Sequence, residues 1–215
     1  MSISTNPAPA RTDVLPGTPA AGPADTSTRQ IRRTGLLVAA GALIWSASMA
    51  TVGPNPTDNV GITISDLAAL PFQGSLFFLV TTQLRTAATG TSRFARGMLR
   101  TEYVLLTLAT LWTVLHGAVP AFRDDLWLAV LDVFWPLSML GMFVIGVKIA
   151  IAGRWRGVAR IWPLVAESWA VVTVPTFILL GSPVADRVGA GHLLIGYTVL
   201  GLILARRPHL TRAGS

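Results

Sequence analysis

Three ionisable side chains lie inside two long apolar stretches of this chain: Asp132 and Lys148 in the first, and Glu167 in the second. A charged group within hydrocarbon is costly, so such residues usually pair with one another or serve a function. A carboxyl group in an apolar site can also donate a proton to a substrate. We therefore predict Asp132 and Glu167 as candidate catalytic acids.

Asp132 is expected to need a partner from another helix, because no basic residue lies within one turn of it on its own helix. His116 is the predicted partner, since a hairpin around Phe122 would bring the two side chains within about 5 Å of the same depth. Trp135 and Pro136 follow Asp132, and a proline inside a helix bends it. The sequence therefore predicts a kinked, aromatic concavity beside Asp132.

Other polar and aromatic residues are expected to share the outer half of the bundle with Asp132. Carboxylates and imidazoles can bind a cation or relay protons, and two histidines on different helices could ligate haem. No metal-binding spacing such as HExxH supports a metal centre. We predict no metal and no cofactor, and instead a site for a small molecule or a proton. The predicted binding residues are Asp66, Gln73, His116, Trp135 and His192.

Several tryptophans are expected deep in the bundle rather than at its interfaces. Packing between helices is their default role, but aromatic faces can also form a cavity for a lipophilic or cationic species. These residues are Trp45, Trp112, Trp135 and Trp169.

Lys148 and Glu167 lie at similar distances from the basic turn at residues 154–157. An antiparallel hairpin would bring them to the same depth, and intramembrane charges usually pair. We therefore predict a structural ion pair between Lys148 and Glu167.

These residues must be positioned by helices that cross a membrane. The chain is 52% hydrophobic and only 13% charged, whereas soluble domains carry about 25% charged residues. About 20 apolar residues suffice for a helix to cross a bilayer. The predicted fold is an all-α, polytopic bundle of six transmembrane helices arranged as three hairpins. The predicted spans are 35–52, 62–84, 101–118, 126–152, 161–180 and 189–205.

Both ends of the chain are predicted to lie outside this transmembrane domain, which is assigned to residues 34–206. Residues 1–33 are rich in Pro, Ala and Thr without apolar periodicity, so we predict a disordered tail. A short basic tail is predicted at 207–215. The first span also resembles a signal peptide, but its length and its distance from Met1 favour an uncleaved signal anchor.

The basic residues predict the orientation of the bundle. Of the 17 Lys and Arg residues, all but Arg123 and Arg187 fall on the two tails and on the second and fourth connections. Basic connections remain in the cytoplasm, so both termini are predicted to be cytoplasmic. The excess of Arg over Lys, with abundant Ala and Gly, indicates a bacterial protein of the plasma membrane.

Composition and motifs exclude several classes of function. The absence of Cys excludes disulfides, thiolate nucleophiles and Cys-ligated metals. The chain contains no P-loop, Rossmann, G-x-S-x-G or DNA-binding motif, and no nucleic acid partner is predicted. The predicted partners are the lipid bilayer, a small lipophilic molecule or proton, and another membrane protein or a second copy of the chain.

Three functions fit these observations. The first is binding, sensing or transport of a small molecule or proton through a polar site inside the bundle. The second is an intramembrane enzyme that uses a carboxylic acid and an aromatic-lined cavity on a lipophilic substrate. Membrane-embedded terpene cyclases need that chemistry, although no motif links this chain to them. The third is a non-catalytic partner subunit.

Overall fold

The computed structural model describes residues 23–53 and 56–211 of the 215-residue chain. Within these residues the regular structure is helical without a β-strand, which confirms the predicted all-α fold. Six helical segments of the described part are long and apolar enough to cross a bilayer. The chain is therefore a multi-pass membrane protein surrounded by lipid. The segments are Ser27–Thr51, Asn59–Arg85, Arg93–Ala118, Leu126–Ala152, Val158–Leu180 and Val184–Arg206.

The fourth and fifth segments are each interrupted, so each contains two helices. The α-helices of the described residues are α1 (Pro23–Thr51), α2 (Asn59–Arg85), α3 (Arg93–Ala118), α4 (Leu126–Asp132), α5 (Phe134–Ala152), α6 (Val158–Glu167), α7 (Trp169–Leu180) and α8 (Ser182–Arg206). Short 3₁₀ turns occupy Pro120–Phe122 and Pro208–Thr211.

Several helices extend beyond the spans predicted from apolarity. Helix α1 begins at Pro23, well before the predicted start at Gly35, and α3 begins at Arg93 rather than Thr101. Arg and Gln are good helix formers, so a helix can continue past the apolar part that marks the membrane. Of the predicted disordered tail, residues 1–22 lie outside the described part, as do residues 212–215 of the basic tail.

Consecutive spans pack against each other as the predicted hairpins, and α1 also packs along α8. At that interface Gly35 and Gly201 bring the two backbones so close that a Cβ atom on either would collide with the opposite main chain. Val38 and Ala42 of α1 are fully buried. Helix α1 is thus an integral part of the bundle.

The interruption of the fourth segment lies where the sequence predicts a kink. Helix α4 ends at Asp132 and α5 begins at Phe134. Pro136 has no N–H group, so it cannot donate to the carbonyl of Asp132 four residues earlier. The helix therefore breaks around Val133.

The interruption of the fifth segment lies at Ser168, seven residues before Pro175. Pro175 lies within the continuous helix α7. The Ser168 hydroxyl donates to the carbonyl of Val165 at 2.9 Å and contacts the His192 ring at 3.1 Å. Hydrogen bonds from a serine side chain to the local backbone compete with helical ones, so the chain breaks at Ser168.

Candidate functional site

The two helix breaks adjoin a cavity of about 440 Å³, called here the aromatic cavity. This volume falls in the range of small-molecule pockets, which is roughly 300–1,000 Å³. Its walls come from the C-terminal half of α1, the N-terminal half of α2, the end of α3, the α4–α5 break, α7 and the start of α8. All of these lie in one half of the bundle. A neighbouring cavity of about 670 Å³ between α1 and α8 shares Met49 and Asp186 with it.

Three tryptophan rings form one wall of the aromatic cavity. The ring centroids of Trp45 and Trp135 lie 5.4 Å apart, those of Trp135 and Trp169 lie 6.1 Å apart, and those of Trp45 and Trp169 lie 6.4 Å apart. The Trp169 indole also donates to the carbonyl of Gly189 at 2.8 Å, which fixes its ring against α8. Edge-to-face packing at these distances is favourable for aromatic rings. The three tryptophans therefore pack the helices together and also line the cavity.

Asp66 and His116 form a hydrogen-bonded pair at the edge of the aromatic cavity. The His116 Nδ1 atom lies 2.6 Å from Asp66 Oδ2, and the Trp112 ring stacks on the imidazole at 4.6 Å. Gly117 allows this approach, because a Cβ atom there would lie 2.8 Å from the Cβ of Asp66. Asp66 and Trp112 both line the cavity.

The position of His116 corrects the predicted pair between His116 and Asp132. Helices α2 and α3 pack directly against each other, so Asp66 reaches the imidazole first. Asp132 is exposed rather than enclosed, since it ends a short peripheral helix in which Leu128 is the one buried residue. Asp132 nevertheless lines the aromatic cavity. It is therefore a carboxylate at the cavity rim and not a shielded acid.

Arg123 fixes the turn next to the Asp66–His116 pair, a role that sequence reasoning missed. Its guanidinium donates to the carbonyl of His116, to the side chain of Asn59 and to the hydroxyl of Thr63, each at 2.8 Å. These bonds join the end of α3 to the start of α2. The signal in the sequence was that Arg123 is the one basic residue on the connection between α3 and α4.

Glu167 does not line the aromatic cavity, and its partner differs from the predicted one. Its carboxyl is fully buried and accepts a hydrogen bond from the Gln83 amide at 3.2 Å. The other oxygen faces Gly146, where an added Cβ atom would lie 2.7 Å from it.

The predicted Lys148–Glu167 ion pair is absent from the described residues, in which Asp66–His116 is the salt bridge found within 4 Å. Lys148 lies two positions after Gly146 on α5. Two positions correspond to a rotation of about 200° around the helix. The face that contacts Glu167 is therefore not the face that carries Lys148.

Two of the predicted binding residues, Gln73 and His192, do not line the aromatic cavity and instead stabilise contacts between helices. The buried Gln73 amide donates to the Thr113 hydroxyl at 2.8 Å and so joins α2 to α3. His192 contacts Ser168 at the α6–α7 break through Nε2. His116 pairs with Asp66 through Nδ1, so the two histidines are engaged in separate contacts. In the part of the chain that the structure describes, no three His, Asp or Glu side chains converge as metal ligands.

The structure adds Asp186 to the candidate site. This residue of α8 lines the aromatic cavity, is partly buried and lies 3.4 Å from the Ser182 hydroxyl, which donates to it. No motif marks Asp186 in the sequence, because its position follows from the packing of α8 on α7. No protein-family model, curated protein or solved structure matches this chain.

Proposed function

We propose that this membrane protein binds a small organic cation in the aromatic cavity, for transport or sensing of that molecule. The observation that supports the proposal most is the joint presence of three mutually packed tryptophans and two carboxylates, Asp132 and Asp186, on one cavity. Neither carboxylate has a Lys, Arg or His partner within 4 Å among the described residues. The cavity thus carries negative charge that a cationic ligand would neutralise.

Physical chemistry favours a protonated amine or a quaternary ammonium ion as the ligand. Tryptophan faces attract cations more strongly than other aromatic rings do, at about 0.5–2 kcal/mol per contact. A carboxylate at the rim adds attraction that is strengthened by the low dielectric of the surrounding bundle. Tryptophan walls also exclude water, which suits the apolar substituents of an organic ammonium ion better than a bare metal ion.

The Asp66–His116 pair offers a way to link this binding to protons. Histidine changes its charge near neutral pH, and the pair borders the same cavity. Loss or gain of a proton by the pair changes the net charge that the ligand meets. Coupled movement of a proton and an organic cation is therefore the form of transport that the site favours.

The basic connections support a plasma-membrane location with both termini in the cytoplasm. The turns next to the aromatic cavity are those before α2, α4 and α8, which carry few basic residues. In that orientation the cavity lies in the outer half of the bundle.

An intramembrane enzyme acting on a lipophilic substrate is a second candidate, and the tryptophan wall supports it because aromatic faces also stabilise carbocations. That chemistry needs a neutral acid held in apolar surroundings. Asp132 is exposed, and the enclosed Glu167 lies outside the cavity. Binding of a stable cation is therefore the better supported function.

The proposal is tested by titrating the protein in lipid nanodiscs with choline and benzyltrimethylammonium, using isothermal titration calorimetry. The neutral control ligand is 3,3-dimethylbutan-1-ol, which has the shape of choline with carbon in place of nitrogen. We expect at least one cation to bind at least tenfold more tightly than the alcohol. Trp135→Leu should weaken its binding about threefold to thirtyfold.

The matched control variant is Trp127→Leu, because Trp127 is exposed and packs on Phe122 away from the aromatic cavity. It should leave cation binding unchanged. Binding of neither cation, or equal binding of the alcohol, contradicts the proposal. Formation of a cyclised product from a polyprenyl epoxide, abolished by Trp135→Leu, would favour the enzyme instead.

A further inference from the structure

The carboxyl group of Glu102 is buried in the bundle outside the aromatic cavity. Only 1% of the residue's surface is exposed. Its Oε1 atom accepts a hydrogen bond from the Ser138 hydroxyl at 2.6 Å, and its Oε2 atom has no hydrogen-bond partner among the described residues. Gly141 makes room for Oε2, because a Cβ atom at that position would collide with it. Helix α5 therefore accommodates a carboxyl group whose second oxygen is left unpaired by its neighbours.

No positive charge compensates Glu102 in the described part of the chain. The basic residues of α2 and α5, the long helices packed against α3, are Arg85 and Lys148, and neither lies within 4 Å of it. The titratable groups that share an electrostatic interaction with it are Glu167 of α6 and Tyr197 of α8, both fully buried. A carboxyl group in apolar surroundings without a cationic partner carries its proton. We therefore expect Glu102 to hold a proton at neutral pH.

Glu102 also borders the lipid-facing surface of the bundle, through an apolar slot of about 520 Å³ between α3 and α5. The walls of this α3–α5 slot include Gly141 and Leu140, and Leu140 is 52% exposed. None of the residues that line the aromatic cavity lines the slot. The slot gives apolar reagents dissolved in the bilayer a route to the carboxyl group.

A small internal cavity of about 10 Å³ adjoins both the hydrogen-bond partner of Glu102 and the aromatic cavity. Ser138 lines this small cavity, and Trp135 lines both cavities. Gln73 lines the small cavity as well, and its Oε1 atom has no hydrogen-bond partner among the described residues. A volume of about 10 Å³ suffices for one water molecule. The side-chain oxygen atoms of Gln73 and Ser138 are the groups that would bind it.

We propose that Glu102 is a proton-binding site coupled to the aromatic cavity, so that release of its proton strengthens cation binding there. The carboxyl group passes its proton to the Ser138 oxygen as the Ser138 hydroxyl passes its own proton to the water molecule. The water delivers that proton to the aromatic cavity beside Trp135, and Glu102 is left as a carboxylate. The coupling rests on the proposed cation site, whereas the proton site at Glu102 is independent of it.

The size of the coupling follows from the distance between the two sites. Thr113 lines the aromatic cavity and lies eleven positions after Glu102 on α3, a rise of roughly 16 Å. A unit charge at that distance inside a protein changes the affinity for a cation about threefold to tenfold. A carboxylate at position 102 attracts the cation, and the protonated acid does not. Cation affinity should therefore rise with pH as Glu102 loses its proton.

The proton site is tested by treating the protein in lipid nanodiscs with dicyclohexylcarbodiimide, an apolar reagent that adds to protonated carboxyl groups. The carboxyl proton moves to a carbodiimide nitrogen, the carboxylate oxygen bonds to the central carbon, and rearrangement gives a stable N-acylurea. Peptide mass spectrometry locates this adduct. We expect labelling of Glu102 at neutral pH, loss of labelling as the pH rises, and no labelling by a water-soluble carbodiimide. Glu167 should remain unlabelled, because it is fully buried and does not line the slot.

Access through the α3–α5 slot is tested by filling it. Leu140→Trp should slow the labelling of Glu102 severalfold, because the larger side chain occupies the slot. The matched control is Ile151→Trp, since Ile151 is 69% exposed on the same helix and does not line the slot. The control should leave the labelling rate unchanged. Both residues are exposed, so neither substitution removes a buried contact.

The coupling is tested by calorimetric titration with benzyltrimethylammonium. Its affinity should rise about threefold to tenfold across the pH interval in which labelling of Glu102 disappears. Glu102→Gln keeps the shape of the side chain but has no proton to lose, so it should abolish this rise. His116→Phe should retain the rise, which separates Glu102 from the Asp66–His116 pair. Because coupling is reciprocal, saturating cation should move the loss of labelling in the unaltered protein to lower pH.

Each part of the proposal has its own contrary result. The absence of a carbodiimide adduct at Glu102 overturns the proton site, and labelling that Leu140→Trp does not slow overturns access through the slot. A cation affinity that is constant across the interval of lost labelling, or a rise that Glu102→Gln retains, overturns the coupling. Labelling of Glu102 without any cation binding overturns the proposed function and the coupling, but establishes the proton site.

Discussion

The Asp66 carboxylate and the His116 imidazole lie 2.6 Å apart and join α2 to α3 beside the aromatic cavity. Their side chains are 16% and 23% exposed, so solvent screens the contact only in part. Gly117 permits the close approach of the two helices, and Arg123 holds the carbonyl of His116 at 2.8 Å. This pair is thus both a helix contact and a charged element of the candidate site.

Asp66 and His116 should be energetically coupled. In a double-mutant cycle of Asp66→Asn and His116→Phe, we expect a coupling free energy of about 1.5–3 kcal/mol, the range of hydrogen bonds to charged groups. The free energy of unfolding in mild detergent, followed by tryptophan fluorescence, measures it. His209→Ala is the control, since His209 is exposed on the C-terminal turn. Strictly additive effects would show that the contact contributes nothing.

Asp132→Asn should weaken cation binding without affecting folding. The residue is exposed at the cavity rim, so loss of its charge removes attraction but uncovers no core. We expect about a tenfold loss of benzyltrimethylammonium affinity and no change for 3,3-dimethylbutan-1-ol, measured by calorimetry. Asp124→Asn alters an exposed carboxylate outside the cavity and serves as the matched control. A similar loss with both variants would point to a general surface-charge effect.

Substitutions of Lys148 and Glu167 should act independently, contrary to the sequence-based prediction of an ion pair. Glu167→Leu should destabilise the protein, because it leaves the Gln83 amide without its acceptor. Lys148→Met should not rescue that loss, since Lys148 lies on a different face of α5 from the one that contacts Glu167. The melting temperatures of the single and double variants measure this. A clear rescue would restore the predicted pair.

Gly201→Ala should destabilise the bundle by several degrees, because a Cβ atom there would meet the backbone of Gly35 and Ala39. The matched control is Gly191→Ala in the same helix, where nothing lies within 4 Å of the added atom. That change should be neutral or stabilising, since alanine favours a helix by about 1 kcal/mol over glycine. Thermal unfolding gives the melting temperature of each variant, and equal melting temperatures would argue against the close α1–α8 contact.

Reporter fusions test the proposed orientation. Fusions after Arg93 and Arg154 should report the cytoplasm, and fusions near Asp58, Asp124 and Asp186 should report the outside, because basic connections stay in the cytoplasm. Paired alkaline phosphatase and green fluorescent protein fusions provide opposite readouts at each position. Inversion at any one of these positions would break the six-span topology.

The architecture was predictable because the apolar stretches are long and are separated by turn residues and arginines. The kink near Pro136 was predictable for the same kind of reason, since a missing N–H group acts locally. The break at Ser168 was not, because it depends on hydrogen bonds to Val165 and to His192 of another helix. Pro175, which lies within α7, does not interrupt that helix.

Sequence reasoning named only part of the cavity lining and did not identify how the side chains pair. Asp66, Asp132 and Trp135 line the aromatic cavity as expected for one shared region. Depth along a helix can be read from a sequence, but rotation about the helix axis relative to its neighbours cannot. The rotation of each helix determines that His116 contacts Asp66 and that Glu167 contacts Gln83.

Helix α7 forms one wall of the aromatic cavity, yet none of its residues is buried. It is bounded by the break at Ser168 and by Gly181, whose φ of 75° suits the conformational freedom of glycine. A helix without buried residues adds little to the packed core of the bundle. Substitutions in α7 should therefore alter the shape of the aromatic cavity at less cost in stability than substitutions in α1, whose lining residue Trp45 is buried.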